Sequence, residues 1–119
     1  MAKILIVDDA MFMREVIRGI LTQGGYSELL EAEDGAAAVE LYRRELPALV
    51  ILDITMPKMD GIETLRQIKE MDPQAKVVMC SAIGQEKQIM NALALGASEY
   101  IVKPFKPDGM LGVIKKMIG

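Results

Sequence analysis

Two carboxylates stand side by side at Asp8-Asp9, and a third, Asp53, closes a separate stretch much further along the chain. Each site follows a short apolar run: Ile4-Leu5-Ile6-Val7 ends at Asp8-Asp9, and Leu49-Val50-Ile51-Leu52 ends at Asp53. Runs of Val, Ile and Leu this short and continuous read as strands buried on both faces. In open parallel sheets ligands gather just beyond the carboxyl ends of the strands, so the three acids are expected at one edge. Three anions that close repel one another and stay ionised near neutral pH only with a cation among them. The chain contains no histidine, which excludes imidazole zinc sites, Ser-His and Cys-His triads and imidazole bases. What remains for chemistry is carboxylate, lysine, hydroxyl and backbone, a donor set that suits a hard cation such as Mg2+.

The elements that must position these acids follow from the pattern of the rest. A first strand at about 3–7 leads into a helix near 10–23 with apolar positions Phe12, Met13, Val16, Ile17, Ile20 and Leu21, ended by Gly24-Gly25. A weaker strand over 27–32 is followed by the Asp34-Gly35 turn and a helix over 36–46, with Val39, Leu41, Tyr42 and Leu46 apolar and Pro47 closing it. The third strand ends at Asp53, and the loop Pro57 to Gly61 leads into a helix over 62–71. A strand over 76–81, a helix over 85–95, a strand over 99–102 and a helix over 107–118 complete the chain. Five strands alternating with five helices predict an α/β fold: a doubly wound, five-stranded parallel sheet with right-handed crossovers and helices on both faces. A barrel would need eight such units.

Composition sets further bounds. At 119 residues, 51% hydrophobic and 26% charged, the chain reads as one folded domain spanning 1–119. A net charge of −3 offers no footprint for phosphate backbones, so no nucleic acid is expected as a partner. Neither a signal-peptide pattern nor an apolar run of spanning length is present, and the expectation is a cytoplasmic protein without a membrane partner. The single Cys80 lies in the apolar run Val77-Val78-Met79-Cys80 and reads as a buried, inert thiol. Met11, Phe12 and Met13, beside the acids, read as core or lid.

Asp8-Asp9 after strand one, Asp53 after strand three, Met56-Pro57 and Asp60-Gly61 behind it, Ser81-Ala82 after strand four and Lys103-Pro104 after strand five resemble the signature of two-component receiver domains. Asp53-Ile54-Thr55-Met56-Pro57 and Cys80-Ser81-Ala82-Ile83-Gly84 look most like the stand-alone chemotaxis regulators of Gram-positive and Thermotoga-like bacteria. The resemblance covers the whole chain. It implies a flavodoxin-like strand order 2-1-3-4-5 and a switch rather than a metabolic enzyme.

It further implies that Asp53 accepts a phosphoryl group from a partner's phosphohistidine. Asp9, Asp53 and the Thr55 carbonyl would hold Mg2+, with Asp8 acting through a water. Lys103 would pair with Asp53 and then with a phosphoryl oxygen, and a cis bond at Lys103-Pro104 goes with it. Ser81 would supply the hydroxyl that follows the phosphoryl group, Tyr100 the aromatic that rotates inward behind it, and Thr55 and Ile83 would tune phosphoryl lifetime. The implied partners are a chemotaxis histidine kinase of the CheA type and a flagellar motor switch protein of the FliM type. The motor protein would dock on the face of helix four, strand five and helix five of a monomer.

Other readings compete. Capping of the first helix is an ordinary job for Asp8 or Asp9, and Lys103 taken alone reads as a solvated loop residue. A haloacid-dehalogenase-like phosphatase would also use Asp, Mg2+ and Lys, but wants a second Asp two positions after the nucleophile, where this chain has Thr55. A dinucleotide enzyme needs a glycine-rich turn after strand one, and Val7-Asp8-Asp9-Ala10-Met11 has no glycine. A receiver belonging to a larger transcription regulator stays open.

Overall fold

A computed structural model describes residues 2–56 and 59–119. The described residues form, in chain order, β1 (Ile4–Val7), α1 (Met11–Gln23), β2 (Leu29–Ala32), α2 (Gly35–Glu45), β3 (Leu49–Asp53), α3 (Gly61–Met71), β4 (Val77–Ser81), α4 (Glu86–Ala94), β5 (Glu99–Val102) and α5 (Pro107–Ile118). The strands make one parallel sheet in the order β2-β1-β3-β4-β5, the doubly wound arrangement expected. Pro57 of the Met56-Pro57 motif lies outside the described residues.

Side chains alternate across the pleat and so divide the core in two. Leu5, Val7, Val50, Leu52, Val77 and Met79 face a layer built with α2, α3 and α4, including Val39, Tyr42, Leu65 and Ile68. Ile4, Ile6, Leu49, Ile51, Val78 and Cys80 face the opposite layer, packed by Ile17 and Leu21 of α1 and by Met110 and Ile114 of α5. The central strands β1, β3 and β4 are buried on both faces, whereas β2 and β5 lie at the edges and are half exposed. Edge placement is why β2 carries the weakest sequence signal.

Helix α1 departs from the expected face. Phe12 is 74% exposed and Met11 and Val16 are exposed as well, while Arg14 is 8% exposed and shares the buried face with Ile17, Ile20 and Leu21. Met11 and Phe12 are therefore not core residues. Leu46 is also exposed: it ends α2 in the left-handed region at φ 47°, ahead of Pro47, rather than extending the apolar stripe. At the end of α1 it is Gly25, at φ 95°, that takes the left-handed conformation, while Gly24 keeps a right-handed one. Asp34 and Asp60 cap α2 and α3 by accepting from the N–H groups of Ala37 (2.8 Å) and Glu63 (2.9 Å).

Gly61 brings α3 against the end of β3. Its N–H donates to the Ile54 carbonyl at 2.7 Å, and a Cβ built there would collide with the Asp53 carbonyl oxygen and lie 2.6 Å from the Ile54 Cα. Backbone cannot swing aside as a flexible side chain can. Gly61→Ala is expected to lower stability by about 2 kcal/mol. Gly112→Ala, in α5 with nothing within 4 Å of its Cβ, should raise it by up to about 1 kcal/mol. Urea denaturation of both variants checks this; a Gly61→Ala midpoint equal to wild type would show that the close approach is not a constraint.

Candidate functional site

The sheet register dictates the site. Val7 pairs with Leu52, so the next residues, Asp8 and Asp53, emerge side by side at the carboxyl edge of β1 and β3. Asp53 pairs with Cys80 and Ser81 with Val102, which sets Ser81 and Lys103 on the other flank of Asp53. The Lys103 N–H donates to the Ser81 carbonyl at 2.7 Å, and the peptide bond between Lys103 and Pro104 is cis. Asp8 is only 2% exposed and Asp53 is buried, while Asp9 faces solvent. One carboxylate oxygen from each of the three lies within 4.8 Å of the others.

Lys103 bridges the two buried acids, its Nζ standing 3.1 Å from Asp8 Oδ2 and 3.3 Å from Asp53 Oδ1. The expected partner was Asp53 alone; the structure adds Asp8. Burial pushes the Asp53 carboxyl above the ordinary carboxylate range; Lys103 opposes that rise and the Asp8 charge reinforces it. For Lys103, burial acts to lower the pKa, but attraction to Asp53 and Asp8 outweighs it and the ammonium is held above its ordinary value. The directions are compatible because the lysine has two anionic neighbours, whereas Asp53 has one cation, one anion and a dry environment.

Asp8 is further pinned through both its side chain and its backbone. Its Oδ1 accepts from the Ala10 N–H at 2.9 Å, and its carbonyl accepts from Arg14 Nη1 at 2.6 Å. Helix capping does not account for Asp8 or Asp9: the cap residue of α1 is Ala10, with no side-chain bond. The positive end of α1 nonetheless opens beside the cluster. All the acidic donors are oxygen, two are buried like charges, and the set fits a small hard dication such as Mg2+.

Around this centre, Ser81 Oγ is buried with no hydrogen-bond partner among the described residues, an unusual state for a buried hydroxyl. Tyr100 on β5 is 41% exposed and so points outward. Thr55 and Ile83 are exposed at the rim. Sequence reasoning missed Gln85, the N-terminal cap residue of α4, whose side chain makes no capping bond. Its Oε1 accepts from the Ala82 N–H and its Nε2 donates to Thr55 Oγ1, both at 2.6 Å, tying the loop after β4 to the loop after β3. Cys80 is buried and its thiol pushed up to about 12 by burial, as expected for an inert sulfur.

A doubly wound sheet with paired acids after β1, an acid after β3, a hydroxyl after β4 and a lysine after β5 is the architecture of a receiver. The chain belongs to the response regulator receiver domain family, whose model matches residues 4–115; such domains are phosphorylation-activated switches of two-component signalling, work with a histidine kinase and bind Mg2+ at an acidic pocket. It is 51% identical over 116 residues to the chemotaxis protein CheY of Bacillus subtilis, covering 98% of this chain and 97% of that protein. Among solved structures, the CheX-CheY-BeF3-Mg2+ complex from Borrelia burgdorferi contains a chain that matches at TM-score 0.93 and 38% identity, covering 99% of this chain and 90% of that one. The receiver domain of NtrX from Brucella abortus matches at TM-score 0.92 and 34% identity, covering 97% of each. No helix among the described residues is long and apolar enough to cross a membrane.

The raised Asp53 pKa makes its charge a liability without metal. The folded carboxyl holds its proton more tightly than the unfolded one, so this group's stabilisation is fully present below 3.8 and is lost as pH rises through the folded value. In EDTA at neutral pH, Asp53→Asn is expected to be more stable than wild type by about 1 kcal/mol, a rise of several degrees in melting temperature. The gap should close as pH falls through that window. Mg2+ at about ten times its dissociation constant should add about 1.4 kcal/mol to wild type. Coincident melts in EDTA at every pH, with no response to Mg2+, would show that the acids do not share a charge-strained site.

Proposed function

We propose that this receiver is a chemotaxis response regulator that takes a phosphoryl group from the phosphohistidine of a CheA-type kinase onto Asp53 and then engages a flagellar motor switch protein of the FliM type. The observation that carries the reading is the lysine bridge between Asp8 and Asp53 beside a buried Ser81 hydroxyl that has no partner among the described residues. Lys103 is a fixed cation at the atom that must react, and Ser81 is a donor without an acceptor among the described residues.

In the proposed reaction an Asp53 carboxylate oxygen attacks phosphorus in line with the donor imidazole. The P–O bond forms as the P–N bond breaks, leaving an aspartyl phosphate on this chain and a neutral imidazole, once protonated, on the donor. Asp9, Asp53 and the Thr55 carbonyl would hold Mg2+, with Asp8 reaching it through a water; the ion supplies charge neutralisation for the phosphoryl oxygens. Lys103 pairs with a further phosphoryl oxygen in place of the Asp53 oxygen it holds beforehand. Ser81 Oγ turns its proton toward the phosphoryl group, the loop after β4 follows, and Tyr100 leaves its outward position for the space vacated.

The output surface is the α4–β5–α5 face, where Met90, Leu93, Tyr100 and Val102 are exposed. Thr55 and Ile83 flank the path of a hydrolytic water, and an apolar Ile83 gives that water no hydrogen bond, favouring slow self-dephosphorylation. The protein would act in the cytoplasm as a monomer. A second reading, the receiver of a larger regulator, draws on the likeness to NtrX; it keeps the phosphoryl chemistry and changes the output partner.

Acetyl phosphate with Mg2+ should add one phosphoryl group to wild type by intact mass and none to Asp53→Asn. With beryllofluoride as a phosphoryl mimic, a motor-switch peptide should bind wild type at least tenfold more tightly than without it. Lys103→Ala and Ser81→Ala should lose most of that gain, since a ligand shifts a two-state equilibrium only through its differential contacts. Labelling that survives Asp53→Asn defeats the acceptor assignment. Labelling at Asp53 without any motor-peptide response leaves a receiver of the second kind.

A further inference from the structure

Arg14 is nearly sealed inside the protein, on a helix face otherwise made of Ile17, Ile20 and Leu21. Burying a guanidinium is costly unless its donors are satisfied. They are spent on two targets. Nη1 donates to the carbonyl of Asp8 at 2.6 Å, and Nε donates to Glu31 Oε1 on β2 at 2.9 Å. Glu31 is itself held by Arg18, whose Nε reaches Oε2 at 2.7 Å. The Asp8 N–H is tied to the same strand through the Ala32 carbonyl at 3.2 Å.

The loop from Val7 to Ala10 is therefore clamped to β2 at both peptide groups of Asp8, and the Asp8 and Asp9 side chains project from that clamped segment. Arg14 itself touches neither carboxylate among the bonds described. We infer that Arg14 is a positioning residue for the metal site: by fixing the Asp8 carbonyl against Glu31 it sets the direction of the adjacent Asp8 and Asp9 carboxylates. This rests on the acidic cluster being the Mg2+ site, as proposed above. Groups that orient metal ligands without touching the metal commonly contribute about 10- to 100-fold to its affinity. Arg18 supports Glu31 from the solvent side and holds no part of the acidic loop except through it.

Titration calorimetry of Mg2+ binding to the full chain tests this, with melting temperature in EDTA reporting fold integrity. Arg14→Met is expected to weaken Mg2+ about tenfold. Arg14→Lys, which keeps charge and stem but cannot reach the Asp8 carbonyl and Glu31 together, should weaken it at least threefold while staying folded. Arg18→Met should stay within twofold of wild type. In acetyl-phosphate labelling, the Mg2+ concentration for half-maximal rate should rise in the Arg14 variants while the rate at saturating Mg2+ stays near that of wild type, a split that general loosening would not produce. If Arg14→Met proves unfolded, Arg14→Lys decides. Folded Arg14 variants with wild-type Mg2+ affinity, or an Arg18→Met loss as large as theirs, overturn the inference. A wild type that binds no Mg2+ overturns instead the metal assignment on which it rests.

Discussion

Two like charges forced together at the ends of adjacent parallel strands are the constraint on which the rest of this molecule depends. The register of β1 with β3 leaves Asp8 and Asp53 no other place to emerge, and both are buried there. At an effective dielectric near 20, two such charges about 5 Å apart repel by roughly 3 kcal/mol before screening. The protein answers with a lysine just after β5 placed between them, with the positive end of α1, and with N–H donors at Ala10 and Thr55. None of these discharges Asp53 fully, and its carboxyl stays above the ordinary range. In the proposed function, that residual strain would give a dication, and then a phosphoryl group, a differential hold on the site.

Coupling outward follows from a second imbalance. Ser81 sits one residue beyond Cys80, the register partner of Asp53, with a hydroxyl that has no partner among the described residues. New acceptor oxygens at Asp53 would give it one. The loop that carries it is meanwhile tied to the Thr55 loop by the Gln85 amide. In the proposed switch, movement of the loop that carries Ser81 would work against the Gln85 bonds. That switch would set a satisfied amide bridge against a hydroxyl that has no partner among the described residues.

Much of this was legible in the chain because the informative residues sit where a pattern breaks. Asp8 and Asp53 stand out by ending apolar runs, and the central strands by being apolar throughout; the Asp34-Gly35 turn, the break at Pro47 and the loop ending at Gly61 located α2 and α3 to within a residue or two. What stayed hidden depended on partners distant in sequence. Arg14 falls at helical spacing with Ile17 and Leu21, a signal for its buried side, but a charged residue is read outward by default, and Glu31, which makes its burial tolerable, lies on another strand. Phe12 and Val16 fit the apolar stripe by sequence yet lie outside, because hydropathy alone does not fix the angular centre of a helix's buried stripe. Lys103 and Ser81 came from the family resemblance, since no local feature tells a bridging lysine or an orphaned hydroxyl from a solvated one. Gln85 had no signal, because its side chain joins two loops rather than capping the helix it precedes.

The central claim, that burial and the Asp8 charge hold the Asp53 pKa above the ordinary carboxylate value despite Lys103 and that a dication would lower it, is tested most directly by carbon-13 NMR titration of the aspartate carboxyls, with Asp53 assigned from the Asp53→Asn spectrum. The account predicts a metal-free Asp53 midpoint above the ordinary 3.8, moving downward when Mg2+ is added. A metal-free midpoint at or below 3.8, or one indifferent to Mg2+, would contradict it.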